Sequence, residues 1–248
     1  MTFCLGISID AGLVALADTR VVKGDEYLSK GKLELIDCQG HPVFIMTSGL
    51  RAVRDKTVLY LKEWLRAEDA KLERLYQVAN AYGKCLRRVR EEDEAALKSD
   101  GLSFNSHAII GGQLDDDAAP GLFYLYPAGN WIEASRDSPY FVVGRTAYGK
   151  PILDRLLATG NSLALAVNLA YLAFDATRTS VVDVDFPIEI LVYDARTQQF
   201  SQHCFSEQTL LATSQWWTDT LAETLARMPQ SWSSPLFTAP DADSRSTA

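Results

Sequence analysis

Blocks of apolar strands alternate with blocks of long helical segments along this chain, and that order constrains the fold more than any single motif. Residues 2–9 and 13–18 are two apolar runs joined by Asp10-Ala11-Gly12, a turn signal, and together they read as a hairpin. A polar loop is expected from Thr19 to about Lys30, followed by strands over 32–36 and 42–49. The period then becomes helical. Val53, Thr57, Tyr60, Leu61 and Trp64 share one side of a helix over 50–67, and Leu75, Val78, Tyr82, Leu86 and Val89 form the stripe of a second over 70–98. Strands resume at 106–114, 122–126, 131–134 and 139–143, with helices at 147–158 and 162–175. Strands at 186–194 and 199–205 precede a last helix over 207–227. Strand runs separated by helix runs point to an α+β fold, with two antiparallel sheets between helical layers.

The 248 residues, 47% hydrophobic and 23% charged, suffice for a sizeable core. No linker-like stretch interrupts the middle, so one domain over 1–228 is expected, with a loose tail rich in Pro, Ser, Asp and Ala over 229–248. A net charge of -8 argues against nucleic-acid or anionic-membrane partners. The densest basic stretch, Arg87-Arg88-Val89-Arg90, runs into Glu91-Glu92-Asp93-Glu94 and reads as a solvated, ion-paired helix face. No apolar run is long enough to span a membrane, and no secretory signal is expected, so the cytoplasm is the expected compartment. Cys4, Cys38, Cys85 and Cys204, and His41, His107 and His203, are too scattered for a metal site, and no cofactor motif is present. Cys4 shares a strand face with Thr2 and reads as a packing residue. No GxSxG motif marks a serine nucleophile.

The chemistry-bearing pattern lies at the start. Thr2 follows Met1 directly, and removal of Met1 would leave a threonine with a free α-amine beside its hydroxyl. Such an amine, with a pKa of about 7.7–8.0, can serve as the base for that hydroxyl. The hairpin returns Asp18 toward Thr2, and the next strand carries Lys32. An ammonium beside the hydroxyl would favour its ionised form, and a carboxylate would keep that ammonium charged and oriented.

Thr2-Phe3-Cys4-Leu5-Gly6, Gly12 through Arg20, Lys32, Ser48-Gly49 and Tyr148-Gly149-Lys150-Pro151-Ile152-Leu153-Asp154 resemble the bacterial proteasome-related Anbu subunits, relatives of proteasome β-subunits and HslV. The resemblance covers 2–227. It implies a four-layer αββα sandwich of the N-terminal nucleophile hydrolase type. It also implies a threonine-type endopeptidase in which Thr2 is the nucleophile and its amine the base, Lys32 lowers the hydroxyl pKa, and Asp18 pairs with Lys32. Gly49 would offer its N–H to the oxyanion, Asp175 would support the threonine amine, and Arg20 would shape the adjoining loop. Gly144-Arg145-Thr146 departs from the Gly-Ser-Gly that many β-subunits carry, and the loop between Asp18 and Lys32 is slightly shorter than theirs. Lys30 competes for the role of Lys32. Lys32 is preferred because Leu33-Glu34-Leu35-Ile36 continues it as a strand.

The implied substrate is a peptide or unfolded protein, and the implied assembly a homo-oligomeric ring or open spiral, with an ATPase partner left open. A non-hydrolytic ring scaffold of the same fold, or a hydrolase of small amides, are the alternatives. The helices over 50–67 and 70–98 are the candidate contacts, through Tyr60, Trp64 and Tyr76.

Overall fold

Antiparallel pairing organises the chain into two five-stranded sheets. The computed structural model describes residues 2–23, 26–29, 31–67 and 71–237. The first sheet contains β1 (Phe3–Ile9), β2 (Gly12–Asp18), β10 (Tyr140–Gly144), β11 (Ile188–Asp194) and β12 (Gln199–Phe205), in the order β10-β1-β2-β11-β12. The second runs β5-β6-β7-β8-β9, from β5 (Leu33–Cys38), β6 (His41–Gly49), β7 (Ser106–Gly112), β8 (Gly121–Leu125) and β9 (Trp131–Glu133). Helices α1 (Arg51–Ala67) and α2 (Leu75–Ser99) cover the second sheet, and α3 (Lys150–Leu156) and α4 (Leu163–Arg178) belong to the first.

Strand alternation explains the layering. On β6, Val43 and Ile45 join Val53, Leu61, Val78, Tyr82 and Leu86 of α1 and α2 in one core. Phe44 and Met46, on the opposite face, meet Cys4, Leu13, Ala15 and Leu191 of the first sheet in another. A strand buried on both faces loses the apolar–polar alternation of a half-buried one, which is why these runs are continuously apolar. On the far side of the first sheet, Phe3 meets Phe174 of α4 edge-on, with ring centroids 6.1 Å apart. Burying each such side chain fully contributes roughly 1.5–3 kcal/mol. Helix, sheet, sheet and helix are thus stacked with an apolar interface between each pair of layers, the αββα sandwich.

Two local features differ from the sequence expectation. The segment read as a polar loop contains a short two-stranded ladder, β3 (Arg20–Lys23) with β4 (Glu26–Ser29). Strands this short and polar carry no apolar alternation. Helix α2 begins at Leu75 rather than near 70. Side chains hold this start: Asp117 Oδ2 accepts the helix's first amide, that of Leu75, and Gln77 Oε1 accepts from the N–H groups of Glu73 and Arg74 just ahead of it.

The chain divides after Glu207 into two compact units. The second comprises most of α5 (Glu207–Ala226) and a 3-10 turn at Ser234–Leu236, and α5 buries none of its residues. Among the described residues, no helix is long and apolar enough to cross a membrane.

Candidate active site

Thr2 is a buried residue directly ahead of β1, in the central region of the first sheet. Two neighbours fix its main chain. The Thr2 carbonyl accepts the N–H of Arg145 at 2.9 Å, just beyond the end of β10. Phe3 N–H donates to Asp18 Oδ1 at 2.7 Å. Gly144 stands where β10 approaches Thr2, at φ +93°, and a Cβ there would lie 1.8 Å from the Thr2 carbonyl oxygen. Only glycine allows this close approach in that conformation. The Arg145 side chain reaches Asp183 instead, with Nη2 3.1 Å from Oδ2.

Asp18 ends β2 and is fully buried. Its Oδ1 also accepts from Lys32 Nζ at 2.7 Å, and the same ammonium donates to the Arg20 carbonyl at 2.8 Å. Lys32 lies two residues into the described segment ahead of β5 and is itself buried, and its carbonyl accepts the N–H of Thr47 on β6 at 3.1 Å. The ammonium is thus held between the end of β2, through Asp18, and the start of β3, through the Arg20 carbonyl. Burial pushes the Asp18 carboxyl above its usual value, opposed by the Lys32 charge and by the hydrogen bonds from Lys32 and Phe3. Oδ2 of Asp18 has no hydrogen-bond partner among the described residues. Arg20 turns its Nη1 to Asp185, 2.6 Å away, while its carbonyl holds Lys32. The competing Lys30 lies outside the described residues, as does Met1.

Thr2, Lys32 and Gly49 line one cleft of about 590 Å³. Gly49 closes β6 at φ +114°, and a Cβ on it would fall 2.3 Å from the Asn105 carbonyl oxygen. The bend carries the chain straight into α1, whose Leu50 lead residue donates its N–H to the same carbonyl at 2.7 Å. Asp175 is buried on α4 next to Phe174, and its Oδ1 accepts from Arg178 Nε at 2.9 Å. Cys4 is fully buried in the inter-sheet core, and burial pushes its thiol up to about 12, so it packs rather than reacts.

Sequence reasoning missed three residues that line this cleft, Arg51, Arg54 and His107. The arginines occupy the first turn of α1, where they look like an ordinary solvated face, yet Arg54 is buried. His107 meets Tyr124 Oη through Nδ1 at 2.9 Å, and burial lowers its pKa. Among the described residues no group of three or more His, Cys, Asp or Glu side chains could hold a metal ion.

The model of the proteasome subunit family matches residues 2–192. Among solved structures, a Gly-1 mutant of Anbu from Hyphomicrobium sp. strain MC1 is 30% identical, with a TM-score of 0.83, over 92% of this chain and 98% of that one. Anbu from Yersinia bercovieri, described as an ancestral β-subunit, is 26% identical with a TM-score of 0.82, over 92% and 97%. A helical assembly of the Anbu complex from Pseudomonas aeruginosa is 26% identical with a TM-score of 0.85, over 97% and 99%. No curated protein matches the sequence.

Proposed function

The chain belongs to the proteasome subunit family, on its Anbu branch, and from that premise we propose that it is a threonine peptidase whose nucleophile is Thr2, freed by loss of Met1. The observation that carries this reading is the shared oxygen of Asp18. It holds Lys32 Nζ at 2.7 Å and the amide of Phe3, the residue bonded to Thr2, also at 2.7 Å. An ammonium is thereby fixed beside the first peptide of β1, where it would stabilise charge developing on the Thr2 hydroxyl.

In the proposed reaction the Thr2 α-amine takes the proton from Oγ as Oγ attacks the substrate carbonyl carbon. The oxyanion forms against the Gly49 N–H. The C–N bond then breaks, and the departing amine takes the proton from the α-amine. Water hydrolyses the resulting ester, with the same amine as base, and regenerates the free hydroxyl. Asp175, buried on α4 and following Phe174 in sequence, is proposed to support the amine. The proposed substrate is a peptide or unfolded protein, the compartment the cytoplasm, and the molecule a homo-oligomer. The helical assembly of the Pseudomonas aeruginosa relative supports the last point.

Peptide hydrolysis by the wild type and by Thr2→Ala tests the proposal. Activity that disappears in a folded Thr2→Ala protein is the expected result. Undiminished hydrolysis would move the nucleophile elsewhere, and a wild type that loses Met1 yet cuts no peptide would favour the scaffold reading.

A further inference from the structure

The wall of the Thr2 cleft is cationic although the protein carries a net charge of -8. Arg20, Lys32, Arg51 and Arg54 all line it, and no carboxylate does among the described residues. Each has a carboxylate partner, none of which lines the Thr2 cleft. Asp185 pairs with Arg20, Asp18 with Lys32, and Asp55 with both arginines of α1, at 3.2 Å from Arg51 Nε and 3.1 Å from Arg54 Nε. Asp55 thus serves two guanidinium groups through their Nε atoms, and the amino nitrogens of Arg54 have no partner among the described residues.

Arg54 is placed to meet a ligand. Its side chain is only 10% exposed, and what it exposes borders the Thr2 cleft and a neighbouring cavity of about 380 Å³. Lys32 borders both spaces too. The smaller cavity adds Ile45, Thr47, Val58 and Leu59, surface suited to a short methylene chain, and its wall also carries Glu34 and Lys62, which pair with each other, and Asp55, the partner of Arg54. Lys32 and Arg54 are thus shared by the two spaces, and a side chain lying between them would meet both cations. A poorly solvated guanidinium with free donors recognises a carboxylate better than any neutral group, because both members are charged and the fork of donors matches two oxygens.

We infer that this cleft selects substrates with an acidic residue, glutamate or aspartate, on the acyl side of the scissile bond, held by Arg54 with Arg51 at its rim. The inference rests on Thr2 being the nucleophile, and binding and cleavage separate the two claims. Equilibrium binding is measured by fluorescence polarisation of labelled tetrapeptides ending in Glu, Gln or Leu, on the full chain at low salt. Cleavage is measured with the matching fluorogenic amides. The Glu peptide is expected to bind about tenfold tighter than the Gln peptide. That margin should vanish in Arg54→Gln, persist in Arg54→Lys, shrink in Arg51→Gln, and narrow as salt rises. Arg51 is 58% exposed on its side chain, so its variant keeps the test open if Arg54→Gln does not fold. Equal binding of Glu, Gln and Leu peptides overturns the inference. Acid-selective binding with no cleavage of any peptide supports carboxylate recognition by Arg54 and overturns its place beside a scissile bond, together with the peptidase reading. Cleavage of the neutral peptides as fast as the acidic one overturns the selectivity and leaves the peptidase reading intact.

Discussion

Lys32 donates to Asp18 Oδ1 at 2.7 Å with both side chains almost wholly removed from solvent. Breaking such a pair from one side leaves an uncompensated charge in the interior, at a cost of about 3–5 kcal/mol. Lys32→Met should therefore destabilise by roughly that amount and also slow hydrolysis by about a hundredfold or more. Asp18→Asn strands the Lys32 ammonium instead, so it should destabilise by a similar amount and also lower activity. Chemical denaturation and peptide turnover on the same preparations check both. A Lys32→Met protein of unchanged stability and rate would contradict the pairing and its role.

Gly144 is the second structural constraint on Thr2. Gly144→Ala puts a methyl group where only 1.8 Å separates it from the Thr2 carbonyl oxygen, and does so at φ +93°. The main chain must move, at a cost of about 2 kcal/mol or more. Activity is expected to fall further than stability alone explains, because the moving atoms belong to the proposed nucleophile. Melting temperature and turnover, compared in one variant, separate the two effects.

The hairpin of β1 and β2 was readable because Asp10-Ala11-Gly12 interrupts two apolar runs of matched length, and the same count of residues places Asp18 back at Phe3. The layers followed from the block order of strands and helices. What escaped depends on partners far away in sequence. The start of α2 is set by Asp117, 42 residues from the amide it accepts. Arg54 is buried because Gly49 turns the end of β6 into α1, which presses the first helical turn onto the cleft. Periodicity on α1 cannot distinguish that turn from a solvated one. The Arg145 side chain, which departs from the family pattern, turns to Asp183 and leaves its backbone amide to hold Thr2. Asp183 lies 38 residues on, and its pairing left no mark in the local sequence.

His107 gives the stability a pH dependence of definite sign. Burial lowers its folded pKa from the ordinary 6.5, so below that value the unfolded chain takes up a proton that the folded chain refuses. The contribution is complete above 6.5 and is lost as pH falls through the lower, folded value. Asp18 acts oppositely, since its raised pKa removes stability as pH climbs from the ordinary carboxyl value of 3.8 to its own. His107→Gln should flatten the pH dependence of the melting temperature just below 6.5. A variant with the wild-type slope there would contradict the assignment.

Assembly is testable without reference to activity. Tyr60 and Trp64 are only partly buried against the helical core, and Tyr76 is 40% exposed. Head-to-tail association through these helices would give a ring if its rotation closes and an open spiral if it does not. Light scattering at micromolar concentration should return a multiple of the 27.4 kDa subunit mass. Tyr76→Glu should shift the distribution toward smaller species. A monomer under all conditions would exclude the proposed homo-oligomer.

The assignment of Thr2 as the nucleophile is tested most directly by intact-mass spectrometry after exposure to an electrophilic peptide directed at N-terminal threonine. The expected spectrum has one adduct per subunit, carried only by chains that lack Met1 and absent from Thr2→Ala. An adduct of equal yield on Thr2→Ala, or on chains that keep Met1, would contradict it.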